Sequence, residues 1–464
     1  MSLRQSPENR FLTASPGRLF AVTALPMIAI MGMNGILGIV DAFFLGHYVG
    51  ADAMAAVGMT FPILMITIAL ATLVGGGMSS LLARQLGAGN REEASATLAG
   101  AHGLALSIAL VLIVLFCAGG RLFSIHLAGS DGSIADMVWV FLAISVAGTP
   151  IQFLLAVHAD ACRNEGHAGT MALMSLGVTL ANIVLNSVLV ARMELGVAGS
   201  ALGTVLAQAL GLTLLLVLRR LKADMLPLAS LWRNRWTNRW QAIAVLGAPL
   251  SLGFAGMALS AASVVVALRF SASADYAKTI AAYGIATRIF GFAFLPSMAV
   301  GMAMQSIVGN NVGAGLYARS DATLRIAATT TLLYCAAVEG LLLSQGSALG
   351  AMFVADAAVI DDVGRILRIM AALYLFSGPV LVLGLYFQAL GQPARAALLT
   401  LVKPVLLVPL LIGTAAILLG GNALWFAYPA ADALAVVITV LVLLTAIKER
   451  GRAGIGIAAT GVRP

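Results

Sequence analysis

Long apolar stretches separated by short polar clusters recur along the whole chain of 464 residues. Only 10% of the side chains are charged and 61% are hydrophobic, with a mean hydropathy of +1.00, whereas about a quarter of the residues of a soluble domain are charged. A bilayer core of about 30 Å requires roughly 20 helical residues. We therefore expect an all-α integral membrane protein and exclude a soluble enzyme, a disordered chain and a secreted disulfide scaffold.

Twelve apolar stretches are long enough to cross a membrane. The predicted spans are 19–46, 53–78, 94–118, 135–158, 168–190, 196–218, 241–268, 279–303, 321–343, 362–387, 396–419 and 423–447. With a cytoplasmic amino terminus, seven of the 27 Lys and Arg residues fall on the outer side, namely Arg121, Arg192, Arg269, Lys278, Arg288, Arg365 and Arg368. This bias favours cytoplasmic amino and carboxy termini in the inner (plasma) membrane.

The chain contains an internal repeat. Residues 81–101 align with residues 307–327, so that Gly87-Ala88-Gly89 lies over Gly313-Ala314-Gly315. Each half holds an even number of spans, which predicts two six-helix lobes related by a pseudo-two-fold axis along the membrane normal. The predicted domains are a cytoplasmic segment (1–18), an N-lobe (19–218), a basic cytoplasmic linker (219–240), a C-lobe (241–447) and a cytoplasmic tail (448–464).

The formal charge of +8 does not indicate a nucleic-acid partner. The largest cluster of basic residues lies between two spans, beside Trp232, Trp236 and Trp240, a combination typical of a loop at the membrane surface. The three cysteines suggest no disulfide framework, and the five histidines have no metal-ligand spacing. The first eighteen residues do not resemble a removable signal peptide. We therefore expect no resident metal and no cofactor.

Asp41 is the first ionisable residue within a span. A charged side chain near the bilayer centre costs about 2.5–3.5 kcal/mol, so it requires a function or a partner. Gly38, Asn34 and Met31 precede Asp41 by three, seven and ten residues and place a small, polar and flexible helix face around it. Pro26, earlier in the span, removes a backbone hydrogen bond and predicts a hinge.

Span five carries Asn182 and Asn186 four residues apart, on one face with Thr179. Two carboxamides are unfavourable against lipid, so we expect them to face the lobe interior, with Asp41 as their hydrogen-bond partner. They could equally hold helices together, and the two roles are compatible. Met27 and Met31, with flexible thioether side chains, are predicted to line a substrate cavity together with Gly38 and Thr179.

Other charged residues in the spans suggest weaker candidates. Arg288 and Arg325 are more typical of structural anchors, and Glu339 and Lys403 lie near the ends of their spans. Asp432 lies deeper in span twelve, where either a transport role or a structural role is open.

The combination of these features resembles the multidrug and toxic compound extrusion (MATE) family. The resemblance rests on twelve spans in two repeats, the loops LGAGNREEA and VGAGLYARSDA, Pro26 with Asp41 in span one, and the loop LGQPARA after span ten. It covers about residues 15–450. It implies an antiporter in which protons or sodium run inward while amphipathic, cationic compounds leave, as the lobes alternate access to the two sides.

Within that family the chain looks DinF-like rather than NorM-like. NorM-like members carry acidic residues in spans seven and ten, whereas this chain has none at 241–268 or at 363–387. The span-one aspartate and proline of DinF-like members match Asp41 and Pro26. Many relatives have an Asn-x-x-x-Asp pair in span five, but this chain has Asn186 where they have the aspartate. A sodium site built from two carboxylates is therefore not expected.

The sequence thus predicts a monomeric, proton-coupled multidrug antiporter. A carboxyl group removed from water favours its neutral form, so Asp41 is expected to take up a proton from outside, weaken its bonds to Asn182 and Asn186 and expel the substrate. The alternatives are sodium coupling, with Na⁺ held by Asp41, Asn182 and Asn186, and a flippase for lipid-linked precursors. A flippase needs basic residues deep in its cavity, and spans one and two contain none.

Overall fold

A computed structural model describes residues 9–128, 132–270, 276–418 and 421–449, and within these ranges the regular secondary structure is entirely helical. The helices of the first half are α1 (Arg10–Thr13), α2 (Pro16–Tyr48), α3 (Ala51–Gly87), α4 (Arg91–Ala128), α5 (Gly132–Ala147), α6 (Thr149–Asn164), α7 (Ala168–Asn186) and α8 (Gly196–Leu221). A π-helical segment, Ser187–Arg192, continues α7 without a break.

The second half repeats this arrangement. Its helices are α9 (Ser230–Arg233), α10 (Trp240–Phe270), α11 (Tyr276–Gly313), α12 (Tyr317–Ala351), α13 (Ala357–Met370), α14 (Ser377–Ala389), α15 (Pro393–Leu401), α16 (Val408–Leu418) and α17 (Ala427–Lys448). A second π-helical segment, Val402–Leu407, joins α15 to α16, and short 3-10 helices precede α14 and α17.

Within the ranges that the structure describes, ten helices are long and apolar enough to cross a membrane, and two bent helix pairs, counted as one span each, bring the number of spans to twelve. The prediction of an all-α membrane protein with twelve spans is confirmed. Predicted spans four and ten are not continuous helices, however. The first is α5 followed by α6 with a bend of 44°, and the second joins α13 to α14 with a bend of 56°.

The two bends have different causes. The first falls at Gly148, directly before α6, where a proline occupies one of the first helical positions and so provides no backbone N–H to continue α5. The second falls at residues 371–376, where Glu339 of α12 accepts a hydrogen bond from the backbone N of Leu375 at 2.7 Å. A half-buried carboxylate of another helix thus satisfies a backbone donor that the broken helix leaves unpaired. Glu339 has this structural role.

The described residues form two compact units. The first comprises residues 9–14 and 25–251, and the second residues 15–24 and 252–449. The division falls inside two helices, next to Pro26 in α2 and next to Pro249 in α10. The predicted lobe boundaries at 218 and 241 differ from this division, since the first part of α10 packs in the first unit.

Each unit has its own apolar core. In the first unit Val74, Met78, Leu98 and Val157 of α3, α4 and α6 are fully buried and pack with Ile243 of α10. In the second unit a larger cluster joins α10 to α17 and includes Trp425, which is 1% exposed. The helices that carry the candidate site pack in smaller clusters, with Leu45 of α2 against Val197 and Ala201 of α8, and Met174 of α7 against Leu215 of α8.

The turns between α3 and α4 and between α11 and α12 follow the predicted repeat. Gly89 has φ of +75° and Gly315 has φ of +73°, so both adopt the left-handed conformation that ends a helix and favours glycine. Gly89 of the LGAGN loop and Gly315 of the VGAGL loop therefore follow the ends of two helices in the same conformation, and the internal repeat is visible in the backbone.

Candidate functional site

Asp41 lies on α2 and contacts α7 through a single strong hydrogen bond. Asn186 Nδ2 donates to Asp41 Oδ1 at 2.5 Å. The carboxylate is partly buried, and within the described chain it has no ion-pair partner. A carboxylate that is bonded to an amide and has no neighbouring cation can still bind a proton or a cation from solution.

The two asparagines of α7 extend this contact into a chain of hydrogen bonds. Asn186 Nδ2 also donates to Asn182 Oδ1 at 3.0 Å, and Asn182 Nδ2 donates to Thr204 Oγ1 of α8 at 3.1 Å. Both asparagines are fully buried. The chain therefore connects α2, α7 and α8 within the first unit, and of the two asparagines only Asn186 bonds directly to Asp41.

The other side of the Asn186 carboxamide faces α8. Its Oδ1 is buried and has no hydrogen-bond partner among the described residues. A Cβ atom added to Gly203 would overlap this oxygen, so glycine is what lets α8 approach it. The π-helical segment begins at Ser187, immediately after Asn186, and π-helical insertions are frequent at functional sites.

The remaining predicted site residues have different environments. Thr179 is buried on α7, two turns before Asn186. Gly38 is exposed, with no atom within 4 Å of an added Cβ, and Met31 is half-buried. Met27 is fully buried and so faces no open space in this conformation. Pro26 lies inside α2 as predicted, and the side chain of Asn34 is outside the part of the chain that the structure describes.

Two residues of the site were not predicted from the sequence, namely Thr204 and Gly203. Both belong to a run of small residues on α8, GVAGSALGT, of which Gly199, Ser200, Ala201 and Gly203 are buried. Small residues spaced three or four apart mark close helix packing in membranes. This spacing of small residues would have predicted a close contact of α8 with a neighbouring helix such as α7.

The second unit contains a charged pair that joins spans eleven and twelve. These two spans correspond to spans five and six of the first half. Lys403 Nζ, in the π-helical segment before α16, binds Asp432 Oδ1 of α17. Asp432 is 5% exposed, so the ammonium group neutralises a carboxylate that would otherwise be buried alone. Arg288 and Arg325 have exposed side chains.

Among the described residues, no group of three or more His, Cys, Asp and Glu side chains has a geometry that could hold a metal ion. The histidines that meet, His102 and His158, bond to each other through their Nε2 atoms at 2.9 Å.

A family model described as MatE matches the chain twice, at residues 26–188 and 250–412. The two matches cover more than half of the chain and fall in the two predicted repeats. The chain therefore belongs to the MatE family of membrane transporters, as the sequence resemblance indicated. Its assignment to the DinF-like branch stays a prediction.

Individual relatives are similar over most of their length. The chain is 26% identical over 404 residues to a protein of Shewanella oneidensis named FAD transporter, covering 85% of this chain and 87% of the relative. It is 22% identical to the multidrug export protein MepA of Staphylococcus saprophyticus, covering 84% and 85%. A solved MOP superfamily transporter from Pyrococcus furiosus superposes with a TM-score of 0.86 at 20% identity, covering 95% of this chain and 98% of that one. This likeness shows the twelve-span fold in two six-helix lobes.

Proposed function

We propose that the protein is a proton-coupled antiporter of the inner (plasma) membrane, which exports amphipathic and mostly cationic compounds by alternating access. The observation that carries this proposal is the Asp41 carboxylate, bonded by Asn186 and lacking any cation among the described residues. The printed names of relatives support the substrate class, since MepA of Staphylococcus saprophyticus is called a multidrug export protein. We further propose that the protein functions as a monomer and that both termini are cytoplasmic.

The mechanism follows from the two protonation states of Asp41. The ionised carboxylate accepts the hydrogen bond from Asn186 and can hold a cationic substrate nearby by Coulomb attraction. Protonation from the outside cancels that charge and weakens the bond from Asn186, because a neutral carboxyl is a poorer acceptor. Helix α2 then bends at Pro26 and the substrate leaves. When the site opens to the cytoplasm, Asp41 releases its proton there.

Sodium coupling is the alternative for the same site. A sodium ion requires several oxygen atoms that converge on one point, whereas Asn182 Oδ1 already accepts from Asn186 and Asn186 Oδ1 is buried against Gly203. Asp41 would be the sole carboxylate ligand. The arrangement of the amides therefore favours a proton over a metal cation.

Phosphate-bearing cargo is a second alternative, as a flippase for lipid-linked precursors would carry. Such cargo needs basic residues in the cavity, and α2 and α3 contain no Lys or Arg between residues 19 and 83. This composition favours cationic over anionic substrates for the site around Asp41.

Purified protein in liposomes tests the proposal, with pH and sodium gradients imposed separately. An entering proton supplies about 2.3 kcal/mol per 100 mV and about 1.4 kcal/mol per pH unit. We expect a pH gradient alone to drive efflux of a monovalent cationic dye, with the potential having no effect because one charge enters as one leaves. Asp41→Asn should fold but not couple. Efflux that required sodium and ignored pH would contradict the proposal.

A further inference from the structure

A basic pocket opens beside the linker between the two predicted lobes. It has a volume of about 690 Å³, and its lining includes Arg91, Arg219, Arg220, Lys222, Met225 and Trp232. Four of the residues that the structure places in its wall are cations and none is acidic. We call this feature the linker pocket. Its volume falls within the range of about 300–1,000 Å³ that is typical of small-ligand sites.

Within the described part of the chain, one of these four cations is neutralised by an ion pair. Arg219 Nη1 pairs with Glu165 Oε1 at 2.7 Å, and the same carboxylate oxygen accepts from the backbone N of Leu226 at 2.7 Å. The Asp224 carboxylate, next to the pocket residues Ala223 and Met225 in the chain, lies 3.0 Å from His167. The pocket therefore keeps an excess of positive charge.

The other three cations are held loosely or through neutral atoms. Arg91 Nη2 donates to the backbone carbonyls of Asp224 and Met225 at 2.9 and 3.1 Å, which leaves its charge uncompensated. Lys222 Nζ lies 3.4 Å from both His167 Nδ1 and Thr170 Oγ1. The exposed guanidinium of Arg220 has no hydrogen-bond or ion-pair partner in the described chain.

Arg219 adds an unsatisfied group to the wall of the pocket. Its side chain is fully buried, and its Nε and Nη2 atoms have no hydrogen-bond partner among the described residues. Buried guanidinium N–H groups without partners are unfavourable, and an anion is the ligand that their planar fork matches best. Because these donors are buried, the charge that a ligand meets in the pocket comes from Arg91, Arg220 and Lys222.

The position of the pocket indicates where such an anion comes from. Arg91 is the first residue of α4, and Arg219 and Arg220 belong to the last turn of α8, so two spanning helices end at the pocket. The ends of spans lie at the depth of lipid headgroups. Leu221 and Trp232 beside it are 76% and 83% exposed, as expected of side chains that enter the interfacial layer of a bilayer.

We propose that the linker pocket binds the phosphate of an anionic phospholipid headgroup. The phosphate oxygens would accept hydrogen bonds from Arg220 and Lys222, with Arg91 supplying charge behind them. The acyl chains would lie beside Leu221 and Trp232. A lipid bound here fastens the segment between α8 and α10, residues 222–239, to the membrane surface.

Native mass spectrometry of the delipidated full-length protein tests this site. The protein is titrated with phosphatidylglycerol, with phosphatidylcholine of the same acyl chains, and with inorganic phosphate. We expect one phosphatidylglycerol to bind in preference to phosphatidylcholine. The double variant Arg220→Gln with Lys222→Gln should bind it about thirtyfold more weakly, since each surface cation contributes about 1 kcal/mol.

The matched control is Arg233→Gln with Arg235→Gln, which removes the same charge from exposed positions of the same linker outside the pocket. It should leave the affinity for phosphatidylglycerol unchanged. Equal binding of the two lipids, or equal loss in the pocket variant and the control, would overturn the proposal. Saturable binding of inorganic phosphate that the pocket variant abolishes, without any lipid preference, would assign the pocket to a soluble anion instead.

Discussion

At the scale of single residues, Asn186 is the side chain that bonds directly to the proposed coupling group, Asp41. Its amide donates to Asp41 and to Asn182 at once, so its two N–H groups are both used, while its oxygen has no partner in the described chain. The carboxamide is therefore held in one orientation by its donors and by the close approach of Gly203. Any change that rotates or displaces it should alter the proton affinity of Asp41.

Replacing Gly203 with alanine tests this constraint. The new Cβ would overlap Asn186 Oδ1, so α7 and α8 must separate or the amide must move, at a cost of about 1–3 kcal/mol. We expect a lower thermal unfolding temperature in detergent and a weakened pH-driven efflux. Gly177→Ala on α7 is the matched control, because no atom lies within 4 Å of its added Cβ. Equal behaviour of the two variants would contradict the proposed role of the Gly203 contact.

Thr204→Val removes the acceptor of Asn182 with little change of shape. Asn182 Nδ2 would be left buried without a partner, which typically costs about 1–3 kcal/mol. We expect lower stability, measured by thermal unfolding, and a retained but weaker coupling because Asn186 still bonds to Asp41. Thr204→Ser keeps the hydroxyl and should behave like the parent. If Thr204→Val were as stable as Thr204→Ser, the hydrogen bond to Asn182 would not contribute to the stability of the fold.

At the scale of helices, apolar length was sufficient to predict twelve spans but not their internal breaks. The bend between α13 and α14 depends on Glu339, a residue of another helix that accepts the backbone N–H freed at Leu375. Such long-range compensation has no signature in local hydropathy. By contrast, the contact between Asp41 and Asn186 was predictable. Asn182 and Asn186 share a helix face, and Asp41 is the one carboxylate that the sequence places deep in a span of the first half.

The π-helical segments, like the helix bends, could not be predicted from apolar length. Ser187–Arg192 and Val402–Leu407 continue apolar spans whose composition is ordinary, yet each lies next to a polar contact of its unit. Lys403 reaches Asp432 from such a segment. Its pairing with a carboxylate on the next span was not predicted, because a lysine near a span end equally satisfies the rule that long cations extend toward water.

Lys403→Met tests the charged pair of the second unit. It leaves Asp432 buried without its cation, which should lower stability by about 2 kcal/mol, less than the 3–5 kcal/mol of a fully buried pair because Lys403 is 26% exposed. Adding Asp432→Leu should restore most of the lost stability, since a neutral apolar pair of similar volume avoids the buried charge. Thermal unfolding of the parent, the single variant and the double variant provides the comparison. A double variant less stable than the single one would show that the pair stabilises the fold beyond charge compensation.

At the scale of the whole molecule, two helices that contain a proline are divided between the two compact units. Residues 16–24 of α2 belong to the second unit and the rest of α2 to the first, with the change next to Pro26. In α10 the change comes after Ser251, two residues beyond Pro249. A proline inside a helix removes a backbone hydrogen bond and eases bending there, so we propose Pro26 and Pro249 as hinges.

Pro26→Ala and Pro249→Ala restore the missing hydrogen bonds and should stiffen these helices. We expect each to slow pH-driven efflux in liposomes while leaving the affinity for a cationic dye within a factor of about two, because neither proline is a ligand. Dye binding by fluorescence anisotropy separates the two effects. A loss of binding with an unchanged turnover would contradict a hinge role.

The central claim is that Asp41 exchanges a proton for the substrate, and the proton count on substrate binding measures it most directly. Isothermal titration of the detergent-solubilised protein with a monovalent cationic substrate, in buffers of different ionisation enthalpy, gives that count at each pH. We expect substrate binding to the parent to release up to one proton, over a pH range in which free Asp41 is partly protonated, and binding to Asp41→Asn to release none. Substrate binding without proton release at any pH, or the same release from Asp41→Asn, would contradict it.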